Sequence, residues 1–100
     1  MNISLDYDNT YTRDPKMWDL FIRQALMSGH RVYCVTMRTP EQGEEVWNSI
    51  GRMVDCYFTS SQSKSKYMYA QGISIDVWID DMPICIVEGI ETVNDGKIYL

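Results

Sequence analysis

One hundred residues allow one modest core and a single domain spanning residues 1–100. A hydrophobic share of 45% beside 23% charged residues excludes a disordered chain. The formal charge of −5, from 14 acidic against 9 basic residues, argues against non-specific nucleic-acid binding, which needs a basic face to displace counterions.

In chain order, the first apolar run is Ile3-Ser4-Leu5, a strand that leads into Asp6-Tyr7-Asp8. Asp14-Pro15 supplies an N-cap followed by proline at the first helical position. Trp18, Phe21, Ile22 and Ala25 then recur at helical spacing, and Gly29 closes that helix. The β-branched and aromatic run Arg31 to Thr36 predicts a buried second strand. Thr39-Pro40-Glu41-Gln42 reads as a capping box opening a second helix, with Val46, Trp47 and Ile50 on its apolar face and Gly51 at its end. Gly43 weakens its first turn. Val54 to Phe58 is a third strand, and the polar turn Ser60 to Ser65 leads into a third helix that ends before Gly72. Ile75 to Ile79 is a fourth strand ending at Asp80-Asp81, Ile84 to Val87 is a further short apolar run, and Lys97 to Leu100 adds a candidate edge strand.

Strands alternating with helices predict parallel βαβ crossovers, hence a three-layer, Rossmann-like α/β sandwich with a mainly parallel sheet. Trp18, Trp47 and Trp78 read as core, and His30 as a surface or cap residue. Cys34, Cys56 and Cys85 sit in apolar runs with no metal-binding spacing, which predicts buried, reduced thiols and a cytoplasmic protein. No basic segment followed by an apolar stretch opens the chain, and no run approaches the ~20 apolar residues of a membrane span, so neither signal peptide nor membrane partner is expected.

Ligands of open parallel sheets bind outside the carboxyl ends of the strands. There the first strand presents Asp6 and Asp8, the second Thr36 and the fourth Asp80 and Asp81, while the turn after the third leads to Lys64. Such a set suits phosphoryl transfer. Clustered carboxylates need a cation, and an all-oxygen donor set suits Mg²⁺. One aspartate can attack phosphorus, a second can move the proton, and a hydroxyl and an ammonium can hold the phosphoryl oxygens. Alone, each residue has an ordinary reading: a solvated turn before Pro83, a strand-end hydroxyl, a surface lysine. Their occurrence in order carries the argument.

Leu5-Asp6-Tyr7-Asp8-Asn9-Thr10 resembles the first motif of the haloacid dehalogenase (HAD) superfamily, D-x-D-x-T after an apolar strand. Val35-Thr36 is similar to its second motif, Lys64 to its third, and Trp78-Ile79-Asp80-Asp81 to its fourth, at intervals of 30, 28 and 16 residues. The resemblance covers residues 1 to about 88. It implies a phosphatase with Asp6 as nucleophile and Asp8 as general acid/base. Thr36 and Lys64 would hold phosphate, with Asn9 and Thr10 of the first motif beside them. Mg²⁺ would be bound by Asp6, the Asp8 carbonyl and one or both of Asp80 and Asp81. Asn9 stands where many relatives carry glycine, and Lys66 competes with Lys64 for the third motif. Neither the stretch after the first motif nor the one before Lys64 has room for a cap domain. The site is therefore open, able to accept a bulky or macromolecular phosphoester, or covered by a neighbouring subunit, a second copy of the chain, and the expected substrate is a nucleotide or another small phosphoester. The brevity resembles the stripped-down superfamily members encoded by phages. A rival expectation is a non-catalytic protein that binds or sequesters a nucleotide-like phosphorylated ligand. Tyr7 and Tyr11 either stack on a nucleobase or pack on their own core, with Arg13 beside them as a phosphate partner. Arg38 is either a substrate contact or a surface residue at the start of the second helix.

Overall fold

In the computed structural model, which describes residues 1–89, four strands form one parallel sheet. They are β1 (Asn2–Leu5), β2 (Arg31–Thr36), β3 (Asp55–Phe58) and β4 (Val77–Ile79), in the order β3-β2-β1-β4. The helices are α1 (Pro15–Met27), α2 (Glu44–Trp47), α3 (Lys64–Ala70) and α4 (Ile84–Val87). The fold is a Rossmann-like α/β arrangement, as the alternation of strand and helix patterns predicts.

Strand alternation sorts the side chains into two cores. The register pairs Ile3 with Val32, Leu5 with Cys34, and Cys34 with Cys56, so these residues share one face. Ile22 and Ala25 of α1 and Val46 of α2 pack on that face. Ser4, Tyr33, Val35, Tyr57 and Trp78 alternate onto the other face, where Met68 of α3 covers Tyr33 and Val35. Full burial of Leu5 and Ile22 contributes about 1.5–3 kcal/mol each. All three cysteines are free and buried. Burial and the neighbouring Cys56 thiol raise the Cys34 pKa further, the Cys56 hydrogen bond being the stronger cause.

α1 starts and stops where the sequence signals it. The Asp14 carboxylate accepts from the Met17 N–H at 3.2 Å. At the other end Gly29 adopts φ +85° and the His30 N–H returns to the Ala25 carbonyl. The second helix does not form as one piece. A 3₁₀ turn at Pro40–Gln42, the single turn α2 and another 3₁₀ turn at Ile50–Arg52 replace it. Within this stretch a Cβ at Gly43 would stand 2.7 Å from the Phe58 ring, so glycine lets the backbone pack close on β3, and the helical path is left at Ser49, which takes φ −125° and ψ −102°. Trp47 tilts onto Phe58 yet remains 48% exposed, which corrects its assignment to the core; Trp18 and Trp78 are half-buried. Tyr7 and Tyr11 are buried in the α1-side core, and Tyr11 donates to Asp19, so neither is available to stack on a base. The run Ile84 to Val87 becomes helix α4, packed on α3. The candidate edge strand at 97–100 lies outside the described residues.

Residues 6–14 link β1 to α1 and residues 59–63 link β3 to α3, and neither link contains an inserted domain. Among the described residues no helix is long and apolar enough to cross a membrane. The chain winds from β1 through β2 to β3, then returns past both to place β4 on the far side of β1. That reversal opens a crevice at the carboxyl ends of β1 and β4, the usual ligand position in such sheets.

Candidate functional site

Asp6 follows the last residue of β1, and its N–H donates to the Ile79 carbonyl at 3.0 Å, extending the β1–β4 pairing by one step. This fixes the Asp6 side chain at the crevice, 9% exposed. The chain then turns sharply. Asn9 takes φ +60°, a left-handed conformation that asparagine tolerates, and its N–H donates to Thr12 Oγ1 at 3.0 Å.

Lys64, the first residue of α3, is buried with its side chain 3% exposed, and Nζ donates to Asp6 Oδ1 at 2.8 Å and to Asp80 Oδ2 at 2.6 Å. Lys66 is exposed, so of the two candidate lysines only Lys64 joins the site. Asp80 also accepts from the Met82 N–H at 2.9 Å. The Thr10 hydroxyl lies 3.1 Å from Asp6 Oδ2 and 3.3 Å from Asp81 Oδ1. It thus bonds the carboxylates, and Thr10 is not among the residues that line the cleft beside Asp6 and Asp81. Thr36 closes β2 and is buried, and its Oγ1 accepts the Arg38 N–H at 3.3 Å.

Asp6, Asp80 and Asp81 offer carboxylate oxygens that all lie within 4.8 Å of one another. Three carboxylates against the single Lys64 ammonium leave a formal surplus of two negative charges. Burial, the largest influence, raises the Asp6 pKa to about 7; Lys64 pulls it down, and the Asp81 and Asp80 carboxylates push it up. Burial works against the Lys64 ammonium, but Asp6 and then Asp80 outweigh it and raise its pKa. A hard divalent cation fits this donor set by charge and by ligand type. These three aspartates could hold one.

A cleft of about 260 Å³ lies over the cluster, with Asp8, Asn9, Thr36, Arg38 and Lys64 among its walls. A larger hollow of about 410 Å³ opens at the amino ends of β2 and β3, beside Arg31 and Asp55. Size does not select between them. The smaller cleft is where buried ionic groups converge, and such groups are costly to keep without a task.

Asp8 lines the cleft but does not join the inner cluster. Arg38 grips it with two bonds, Nη2 to Oδ1 at 2.7 Å and Nε to Oδ2 at 2.9 Å, and also donates to Glu45 and to the Gln42 carbonyl. The Arg38 guanidinium sits 5.0 Å from the centre of the Tyr7 ring. Arg38 thus has a role that sequence reading did not assign, and Glu45 carries no sequence signal, being one of three glutamates in a five-residue stretch. Arg13 is exposed. Compared with protein-family models, with curated proteins and with solved structures, the chain gives no match.

Proposed function

We propose that this chain is a Mg²⁺-dependent phosphohydrolase of the HAD type, acting through an aspartyl-phosphate on a nucleotide or other small phosphoester. The observation that carries the reading is the Asp6–Asp80–Asp81 cluster, tied to Lys64 and facing a cleft at the carboxyl edge of a parallel sheet. Asp6, Asp80, Asp81 and the Asp8 carbonyl are the groups that would hold Mg²⁺. When bound, the ion supplies charge neutralisation between the carboxylates and an incoming phosphate.

In this reading one Asp6 oxygen attacks phosphorus and the bond from phosphorus to the leaving oxygen breaks, while Asp8, which enters this step as the carboxylic acid, delivers its proton to that oxygen and is left as the carboxylate. Water then attacks the phosphorus of the aspartyl-phosphate, Asp8 takes its proton, and the bond to Asp6 breaks to release phosphate. Thr36, Asn9 and Lys64 line the cleft where the non-reacting oxygens would rest.

The test is phosphate release from a panel of nucleotides and an aryl phosphate, with Mg²⁺ and with EDTA. Wild type is expected to release phosphate only with the metal, and Asp6→Asn to lose roughly 10⁴-fold or more in kcat with its circular dichroism unchanged. Equal rates in the two proteins would remove Asp6 from the nucleophile role.

A second reading, a protein that binds a nucleotide-like phosphate without turnover, draws on the same cleft and its buried Lys64 ammonium. It predicts that a bound nucleotide is recovered intact after incubation with Mg²⁺. Recovery of the dephosphorylated product would sink it.

A further inference from the structure

Arg38 belongs to none of the motif positions, yet it is the most thoroughly bonded side chain at the cleft. Nε and Nη2 each bond one Asp8 oxygen, while Nη1 bonds both Glu45 and the Gln42 carbonyl. Four hydrogen bonds leave one guanidinium N–H unspent. One N–H is too little for the two-pronged grip by which arginine usually takes a phosphate. The backbone is held as well: the Arg38 N–H donates to Thr36 Oγ1 at 3.3 Å, and the Arg38 carbonyl accepts from Ser60 at 3.2 Å. Below the guanidinium lies Tyr7, buried in the core. Arg38 is therefore built to hold a group of this chain rather than a substrate.

The group it holds is Asp8, whose side chain is 48% exposed and sits on a turn between β1 and α1. An exposed aspartate on a turn samples several rotamers, and a paired fork of hydrogen bonds removes that freedom. We propose that Arg38 is a positioning residue for the reaction, fixing the Asp8 carboxylate at the cleft and anchoring it to α2 through Glu45. The proposal rests on the phosphohydrolase reading, in which Asp8 protonates the leaving oxygen. In the first step, the one that kcat/KM reports, a misplaced general acid harms only those substrates that need its proton, whereas its part in the second step bears on every ester alike and falls on kcat. An alkyl phosphoester has a poor leaving group and needs that proton, whereas an aryl phosphate with an acidic phenol does not.

The experiment compares kcat/KM for an alkyl and an aryl phosphate in wild type, Arg38→Ala, Arg38→Lys and Asp8→Asn, all with Mg²⁺. Arg38→Ala is expected to lose roughly 10²-fold on the alkyl ester and less than about 5-fold on the aryl ester. Added guanidinium should restore part of the alkyl activity to Arg38→Ala. Arg38→Lys, which keeps the charge but not the fork, should fall between. Asp8→Asn combined with Arg38→Ala should be no worse than Asp8→Asn alone. Equal losses on both esters would overturn the proposal, because a substrate contact or a mere structural brace acts without regard to the leaving group. Unchanged activity in Arg38→Ala would overturn it while leaving the phosphohydrolase reading standing. Absence of turnover by wild type on every ester would overturn both.

Discussion

Asp6 and Asp8 stand two residues apart in one turn, yet each meets a cation in a different medium. Asp6 shares the Lys64 ammonium with Asp80 in a nearly dry cluster, where the side chains are 9%, 3% and 4% exposed. Asp8 shares the Arg38 guanidinium with Glu45 in a wet one, where Asp8 is 48% and Glu45 65% exposed. The dry cluster suffers desolvation, so its carboxylate is pushed toward the neutral form and its stability depends on the lysine. The wet cluster keeps its water, and its bonds fix direction more than they stabilise the fold. The pairing of cations follows the same division. Lysine offers a compact charge that can bridge two buried oxygens, while arginine offers a planar fork that orients one exposed carboxylate.

The sharpest way to break this contrast is to remove the inner cation. Lys64→Met leaves Asp6 and Asp80 buried without a counter-charge, and about 3–5 kcal/mol of stability is expected to be lost at pH 8 in EDTA, read by urea unfolding. At pH 5, where Asp6 takes up a proton, the deficit should shrink. A loss below about 1 kcal/mol at pH 8 would mean that the inner cluster is as well solvated as the outer one.

Proton linkage gives a second, somewhat smaller effect. The Asp6 pKa is raised from its ordinary 3.8 to about 7, so its contribution to stability is complete below the lower value and lost as pH rises through the higher one. The shift corresponds to roughly 4 kcal/mol. Most of that loss falls between pH 4 and pH 7, and thermal melts of the EDTA-treated protein should show roughly 2–3 kcal/mol of it between pH 5 and pH 8. If a divalent ion takes the place of the proton, Mg²⁺ should raise the Tm more at pH 8 than at pH 5. An increment independent of pH would separate the metal from Asp6.

The smallest effect belongs to the outer cluster. Glu45→Gln is expected to cost less than about 1 kcal/mol at low salt and nothing measurable at high salt. A cost above about 2 kcal/mol would put the two clusters on the same footing.

Much of this edge was legible in the chain itself. The three-residue run Ile3-Ser4-Leu5 announces β1, and a parallel sheet obliges whatever follows each strand to sit at one edge, so Asp6, Thr36 and Asp80 meet for reasons of topology. The break in the second helix was not legible, because Val46, Trp47 and Ile50 keep helical spacing across it, and the close approach of Gly43 to Phe58 was not legible either, because it joins segments distant in sequence. Nor was the burial of Tyr7 and Tyr11, since a tyrosine in a turn has no period to say which way it faces. Lys64 and Lys66 stand about 200° apart around a helix, so only one can reach the crevice, and the docking of α3 selects Lys64.

The sequence alone determined the α/β class, the order of helices and strands through β4, and the set of polar groups delivered to the carboxyl edge. These follow from local patterns of polarity and from chain direction, which act over a few residues. Only the tertiary structure decided which cation each carboxylate meets. Asp6 finds Lys64 across 58 residues and Asp8 finds Arg38 across 30, and such meetings depend on how strands register and helices dock. Charge pairing is settled by distance and by local water, and neither is written in the order of residues.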